Sequence, residues 1–115
     1  MQITVKPFEN SFAAEIDGID IQNGVNKQQF KIIHEAFLKH KVLIFRNQPL
    51  DDEAHQKFGM LFGVLDGHIN KSTRHKALPS VQVFSNVKPN GETTGVHPEK
   101  GTQVWHTDKS YTATP

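Results

Sequence analysis

The chain contains no cysteine among its 115 residues. Disulfide bonds, thiolate metal sites and cysteine nucleophiles are therefore excluded. No apolar run approaches the roughly 18–20 residues that a membrane-spanning helix needs. The N-terminal residues also lack the basic and apolar regions of a secretory signal. We therefore expect a cytoplasmic protein with no membrane partner.

A basic excess is missing as well. Lys and Arg number 13 against 12 Asp and Glu, which gives a net charge of +1. Domains that bind DNA usually carry a clear excess of positive charge, so we expect no nucleic-acid partner. The apolar residues make up 36% of the chain and include eight phenylalanines. That content suits one folded domain and is too high for a disordered chain.

Apolar patterning in the first third predicts strands followed by a helix. Alternating apolar and polar residues predict short strands within residues 2–21, at 3–5, 13–17 and 19–21. A period of 3.6 residues over 27–39 predicts a helix. The residues predicted to share its apolar face are Phe30, Ile33, His34, Phe37 and Leu38. At the start of this helix, Asn26 and Gln29 have the spacing of a capping box.

A second strand–helix pair follows, and the overall pattern is that of an α+β fold. The run Val42–Phe45 has no alternation, which predicts a strand buried on both faces. Acidic residues at 51–53 predict the start of a helix, because their charges complement the helix dipole. Further strands are predicted near 81–87 and 103–106, after long polar loops. Loops of this length are uncommon unless they are functional.

The segment richest in chemistry is Trp105-His106-Thr107-Asp108. Residues two apart in a strand point to the same face, so His106 and Asp108 are expected to converge on one metal ion. An imidazole and a carboxylate are two of the three ligands in the two-histidine, one-carboxylate sites of non-haem iron enzymes. Spacing alone leaves another interpretation open, in which His106 hydrogen-bonds in a core and Asp108 caps a turn.

These residues also carry a resemblance to a known family. The segment 101–108, GTQVWHTD, with Ser110-Tyr111 behind it, resembles the first ligand motif of the taurine dioxygenase family of Fe(II)/2-oxoglutarate-dependent oxygenases. Upstream, the segments 40–48, HKVLIFRNQ, and 58–63, FGMLFG, resemble that family's strand and helix-end motifs. The order and spacing of the three blocks agree over nearly the whole chain.

The resemblance implies a double-stranded β-helix, or jelly roll, with flanking helices. Residues 1–115 would form only the N-terminal part of this single domain. It also implies that His106 and Asp108 bind Fe(II) and that 2-oxoglutarate is the co-substrate. The third ligand, a histidine, and the arginine that binds 2-oxoglutarate would lie beyond position 115. We therefore expect the chain alone to be inactive, and its open strand edges to favour a homo-oligomer.

The implied reaction consumes O2 and converts 2-oxoglutarate to succinate and CO2 while a small organic substrate is hydroxylated. We expect an anionic substrate such as a sulfonate or a sulfate ester. One alternative is a truncated, non-catalytic module of the same fold that binds metal or takes part in assembly. Another is a metal-dependent hydrolase or isomerase, which would ignore 2-oxoglutarate.

Three further positions are predicted substrate contacts. The family has a histidine on the anionic head of the substrate near the place of His68. Arg74 belongs to a basic cluster on a loop that borders the substrate opening in the family, together with Lys71, His75 and Lys76. Thr102 stands where taurine-specific members carry an asparagine, which argues against taurine itself. Ordinary solvated loop residues are the alternative for His68 and for the cluster.

Overall fold

The structure, a computed structural model, describes residues 2–67, 74–96 and 103–113. The chain divides into two compact units, Met1–Gln82 and Val83–Pro115. All the regular elements belong to the first unit. They are strands β1 (Thr4–Pro7) and β2 (Ala13–Asp17), helix α1 (Lys27–His40), strand β3 (Val42–Ile44) and helix α2 (Asp52–Met60).

None of the helices in the described ranges combines the length and apolarity that crossing a lipid bilayer requires.

The three strands form one mixed sheet in the order β1-β2-β3. β1 pairs antiparallel with β2, and β2 pairs parallel with β3. Helix α1 supplies the crossover that a parallel pair needs. The predicted strands at 3–5 and 13–17 are thus confirmed. The prediction that 42–45 is buried on both faces is wrong, because β3 lies at the edge of the sheet among the described residues and Val42 is 44% exposed.

Helix α1 begins with the predicted capping box. The Asn26 side chain accepts a hydrogen bond from the Gln29 N–H, and the Gln29 side chain accepts one from the Asn26 N–H, both at 2.9 Å. Two N–H groups that the first turn leaves unpaired are thereby satisfied. The helix ends at His40. The next residue, Lys41, has a left-handed φ of 62° and donates its N–H to the Phe37 carbonyl.

The buried side of α1 differs in part from the prediction. Ile33 is fully buried as expected, but the other buried residues are Ala36 and His40. His34, Phe37 and Leu38 are exposed. The face of the helix that packs on the core is therefore centred on Ile33 and Ala36. On the adjacent side, the Phe62 ring contacts Phe30 and Phe37.

The core lies between the sheet and α1. Its buried members are Ile16, Ile19, Ile21, Ile33 and Ala36. Half-buried residues from β1, β3 and α2 pack around it, among them Val5, Leu43 and Phe58. The Phe58 ring makes edge contacts with Phe45 and Phe62, and Phe62 extends the aromatic contacts to Phe30 and Phe37 of α1. The aromatic rings therefore connect α2 to both α1 and the end of β3.

The N-cap residue of helix α2 is Asp51, and two hydrogen bonds hold its side chain in place. The N-cap Asp51 accepts a hydrogen bond from the Ala54 N–H at 2.7 Å and another from the Gln22 amide at 2.7 Å. These hydrogen bonds, the one from Ala54 foremost, lower the pKa of the Asp51 carboxyl from its ordinary value. The Asp51 N–H in turn donates to Gln22 Oε1. The predicted acidic start of this helix is thus confirmed.

The segment 19–21, predicted to be a strand, pairs with no strand among the described residues. Ile19 and Ile21 are nevertheless buried, at 8% and 3% exposure. The Gln48 side chain replaces the missing strand. Its Oε1 accepts from the Ile21 N–H at 2.9 Å, and its Nε2 donates to the carbonyls of Ile19 and Arg46 at 3.1 Å. Buried backbone groups need such partners, and a single amide meets that need here.

We expect Gln48→Ala to lower the free energy of unfolding by about 2 kcal/mol, because it leaves the Ile21 N–H and the Ile19 carbonyl unpaired in a partly buried site. Urea denaturation measures the change. Gln28→Ala, at an exposed position of α1, is the control and should stay within about 0.5 kcal/mol. Equal stability of the two variants would contradict the assigned role of Gln48.

The strands predicted near 81–87 and 103–106 are wrong. Isolated bridges join Arg74 to Gln82 within the first unit and Val87 to Thr93 within the second. The second pairing closes a tight turn in which the Lys88 N–H donates to the Glu92 carbonyl. Residues 103–113 contain bends and turns. In both places the apolar residues have no neighbouring strand in the described ranges to complete a ladder.

Candidate metal centre

The structure brings the side chains of His106 and Asp108 together. Nε2 of His106 lies 3.4 Å from Oδ1 of Asp108. The two side chains therefore lie close together as predicted, although the backbone is not the predicted strand. That they share one metal ion stays a prediction. Asp108 instead begins a turn, in which the Thr112 N–H and hydroxyl both donate to the Lys109 carbonyl at 2.8 Å.

The Nδ1 atom of the His106 ring has a hydrogen-bond partner of its own. Nδ1 lies 2.7 Å from the carbonyl oxygen of Val104. A carbonyl oxygen only accepts hydrogen bonds, so Nδ1 carries the proton. In the neutral ring, the Nε2 lone pair then faces the Asp108 carboxylate. Two electron-rich atoms at this distance repel each other unless a proton or a cation lies between them.

The pair is accessible to solvent. The side chain of Asp108 is 93% exposed, and that of His106 is 42% exposed. An open cleft beside the pair is lined by Gln103, Val104, Trp105 and His106, and the Trp105 side chain is fully exposed to it. His106 is therefore not a core residue in this structure, and its Nε2 is within reach of an incoming ion.

No third ligand joins the pair in the part of the chain that the structure covers. Within residues 2–67, 74–96 and 103–113, no group of three or more His, Cys, Asp or Glu side chains is arranged to hold a metal ion.

Two of the three predicted substrate contacts, His68 and Thr102, lie outside the described residues. The third, Arg74, is half-buried in the first unit, and its guanidinium packs against Gly67. A Cβ atom built on Gly67 would lie 3.6 Å from Nη2 of Arg74. Substrate contact by these three residues stays a prediction.

The predicted basic cluster contains one residue that acts as an acceptor. Nδ1 of His75 accepts hydrogen bonds from the N–H groups of Ala77 and Leu78. Its Nε2 lies 3.6 Å from Oδ2 of Asp52. Sequence reasoning counted His75 only as a cation. The one signal that could have identified this role is its position just before the Leu78-Pro79 turn, where side-chain acceptors commonly bind backbone N–H groups.

Two residues of the segment 45–48, FRNQ, have structural roles that the sequence did not indicate. Arg46 donates from Nε to the Glu15 carboxylate at 2.8 Å, across the β2–β3 pair. The hydrogen bond to Glu15 raises the pKa of the Arg46 guanidinium. Gln48 satisfies the buried backbone of 19–21, as described above. The polar residues of this block therefore hold the sheet and its connections together.

Comparison with known proteins shows similarity to dioxygenases over nearly the whole chain. The chain is 25% identical to an alpha-ketoglutarate-dependent 2,4-dichlorophenoxyacetate dioxygenase of Cupriavidus pinatubonensis, over 96% of this chain and 42% of the relative. It is 26% identical to an alpha-ketoglutarate-dependent sulfate ester dioxygenase of Pseudomonas putida, over 96% of this chain and 34% of the relative. The chain thus spans less than half of the length of these relatives.

Solved structures show the same likeness. A taurine dioxygenase homologue from Burkholderia xenovorans aligns with a TM-score of 0.65 and 31% identity, over 76% of this chain and 32% of that one. The enzyme AAD-2, solved in complex with Mn(II) and N-oxalylglycine, aligns with a TM-score of 0.55 and 25% identity, over 58% of this chain and 26% of that one. The sheet and helices described here therefore have the arrangement found in the corresponding part of taurine dioxygenases.

The family model described as "Taurine catabolism dioxygenase TauD, TfdA family" matches residues 4–115. This match covers all five regular elements as well as the His106–Asp108 pair. The resemblance noted in the sequence is thereby confirmed, and the chain belongs to the taurine catabolism dioxygenase family.

Proposed function

We propose that this chain is the N-terminal part of a cytoplasmic Fe(II)/2-oxoglutarate-dependent dioxygenase with one jelly-roll domain. The whole enzyme would hydroxylate a small anionic substrate, with formation of succinate and CO2. The observation that supports this most directly is the approach of His106 Nε2 to Oδ1 of Asp108 at 3.4 Å.

The donor set of the pair fits ferrous iron. An imidazole nitrogen and a carboxylate oxygen are two of its usual protein donors, and here Nε2 and Oδ1 lie 3.4 Å apart, within reach of one ion. The hydrogen bond from Nδ1 to the Val104 carbonyl has a second consequence. Histidine ligands usually donate their other N–H to such an acceptor, which fixes the tautomer and the ring orientation. His106 therefore has the support that an iron ligand requires.

The roles of the protein groups follow from this arrangement. His106 and Asp108 would provide two of three protein ligands, and the third would come from beyond residue 115. When bound, the iron would supply the centre at which 2-oxoglutarate and O2 react, because the two-histidine, one-carboxylate set leaves coordination positions open. The chain alone would hold iron weakly and would not turn over substrate.

The names of the relatives indicate the class of substrate. A phenoxyacetate and a sulfate ester both carry a negative charge. We propose that His68 and Arg74 contact such an anion and that Thr102 lies beside it. Positive charge at a cleft raises the local concentration of anionic substrates. A sulfate ester, a sulfonate or an aryloxyacetate would each satisfy this requirement.

The test is metal removal from the full-length protein. We expect a chelator to reduce succinate formation from 2-oxoglutarate to background and added Fe(II) to restore it, in the presence of a sulfate ester or an aryloxyacetate. The matched control replaces 2-oxoglutarate with succinate, which should support no turnover. Sulfate release without 2-oxoglutarate would identify a hydrolase instead. Metal binding without succinate formation by the full-length protein would identify a non-catalytic module.

A further inference from the structure

Residues 74–82, called the latch segment below, fold back on themselves within the first unit. Arg74 pairs with Gln82 in an antiparallel bridge. Just inside that bridge, the His75 N–H donates to the Val81 carbonyl at 2.9 Å. The Val81 side chain is buried, with 8% of its surface exposed. The latch segment is therefore a closed loop with one apolar anchor.

Two polar contacts connect this loop to helix α2. The Gln56 amide donates to the Ser80 hydroxyl at 2.6 Å. At the other end of the loop, Nε2 of His75 lies 3.6 Å from Oδ2 of Asp52. The side chain of His75 is one-third exposed, so water reaches the ring and a proton can be exchanged without unfolding.

The other nitrogen of the His75 ring holds the inside of the loop. Nδ1 accepts hydrogen bonds from the N–H groups of Ala77 at 3.2 Å and Leu78 at 3.1 Å. Backbone N–H groups only donate, so Nδ1 must carry its lone pair and the ring proton must lie on Nε2. The closed loop therefore requires the neutral Nε2–H tautomer.

A second proton on His75 is incompatible with both internal hydrogen bonds. Protonated Nδ1 is a donor, and it would face two other donors, the N–H groups of Ala77 and Leu78. The Asp52 carboxylate attracts the charged ring at the same time, because an imidazolium and a carboxylate attract each other at this distance. Protonation therefore removes two bonds within the loop and strengthens one contact to α2.

We propose that His75 is a proton-operated latch, which holds residues 74–82 closed when neutral and releases the turn at 77–78 when charged. Histidine is the side chain that ordinarily changes charge between about pH 5 and 8, and the test below spans that range. The inference does not depend on the proposed enzymatic activity.

Several charged and titratable groups around His75 favour or oppose a positive charge on its ring. Asp52 on α2 favours the charged ring. His55 on α2 shares a small cavity with Gln56 and the latch residues 80–82. Arg74 and Lys76 flank His75 along the chain and oppose its charging.

Hydrogen exchange on the full-length protein tests the latch. Protection factors of the Ala77 and Leu78 amides are expected to fall roughly tenfold between about pH 7.5 and pH 5.5, because each loses a hydrogen bond. The Ile16 amide in β2 is the internal reference and should keep its protection. Constant protection of Ala77 and Leu78 over this range would overturn the proposal.

Two variants separate His75 from other titrating groups. In His75→Asn, the side-chain oxygen takes the place of Nδ1 as an acceptor and does not titrate, so protection should remain high at both pH values. In His75→Gln, the amide reaches toward Asp52 but offers no acceptor at the Nδ1 position, so protection should be low at both. A full pH response in His75→Asn would overturn the assignment to His75.

One measurement on the unmodified protein keeps the test independent of how the variants fold. The nitrogen chemical shifts of the His75 ring report which nitrogen carries the proton. We expect a protonated Nε2 and a bare Nδ1 near pH 7.5, changing to a doubly protonated ring as protection is lost. A proton on Nδ1 at the higher pH would rule out the latch, whatever the variants do.

Discussion

Replacing Asp108 with alanine in the full-length protein is expected to abolish turnover of 2-oxoglutarate. The change removes one of the two side chains that approach each other at 3.4 Å and leaves His106 as the only proposed ligand in this segment. Altering a residue that merely supports a metal ligand already costs 10- to 100-fold in affinity or activity, so we expect a loss of more than about 100-fold here. Succinate formation and bound iron per protein should fall together.

The matched control is Glu92→Ala. Glu92 is an exposed carboxylate in the same unit, and its partner is Lys88 at 3.5 Å. Its removal deletes the same charge without touching the pair, so iron content and turnover should stay unchanged. Full iron occupancy and normal succinate formation in Asp108→Ala would contradict the assignment of this residue as a ligand. The hydrogen bond of His106 to Val104 should survive in that variant, because it does not involve Asp108.

The largest expected effect on stability comes from Ile33→Ala in helix α1. Ile33 has no exposed surface and is one of the two largest fully buried side chains among the described residues. Truncating such a side chain costs about 2–5 kcal/mol, because it loses apolar burial and leaves a cavity. Domains are stable by only about 5–15 kcal/mol, so this is a large share of the total. Urea denaturation of the full-length protein would measure the loss.

Two further variants show whether burial is the cause. Ile33→Val removes one methylene and should cost only about 0.5–1.5 kcal/mol. Leu38→Ala lies on the same helix, but Leu38 is 55% exposed, so its loss should be clearly smaller than that of Ile33→Ala. The sequence predicted both residues to lie on the apolar face. A larger effect at Leu38 than at Ile33 would contradict the orientation of α1 described here.

Local interactions account for what sequence reasoning predicted well. The capping box between Asn26 and Gln29 spans three residues, so its spacing is visible in the sequence. The meeting of His106 and Asp108 was also predicted, although for the wrong backbone. Side chains two residues apart are near each other in a turn as well as in a strand, so the approach did not depend on the strand.

Contacts between distant segments account for what was predicted poorly. Gln48 binds the Ile21 N–H from 27 residues away, and no periodic pattern marks a side chain that replaces a strand. The same holds for β3, whose apolar run indicates burial without showing which strand lies beside it. The orientation of α1 places the small Ala36 in the core, and residue periodicity does not weigh side-chain size.

By itself, the sequence determined the family and the pairing of His106 with Asp108, because both depend on residue types at short, fixed spacing. It also determined the existence of both helices, since caps and dipole charges act within one turn. Only the tertiary structure decided which backbone groups the ring nitrogens of His75 and His106 meet. Those carbonyl and N–H groups are placed by the folded backbone, which no spacing in the sequence specifies.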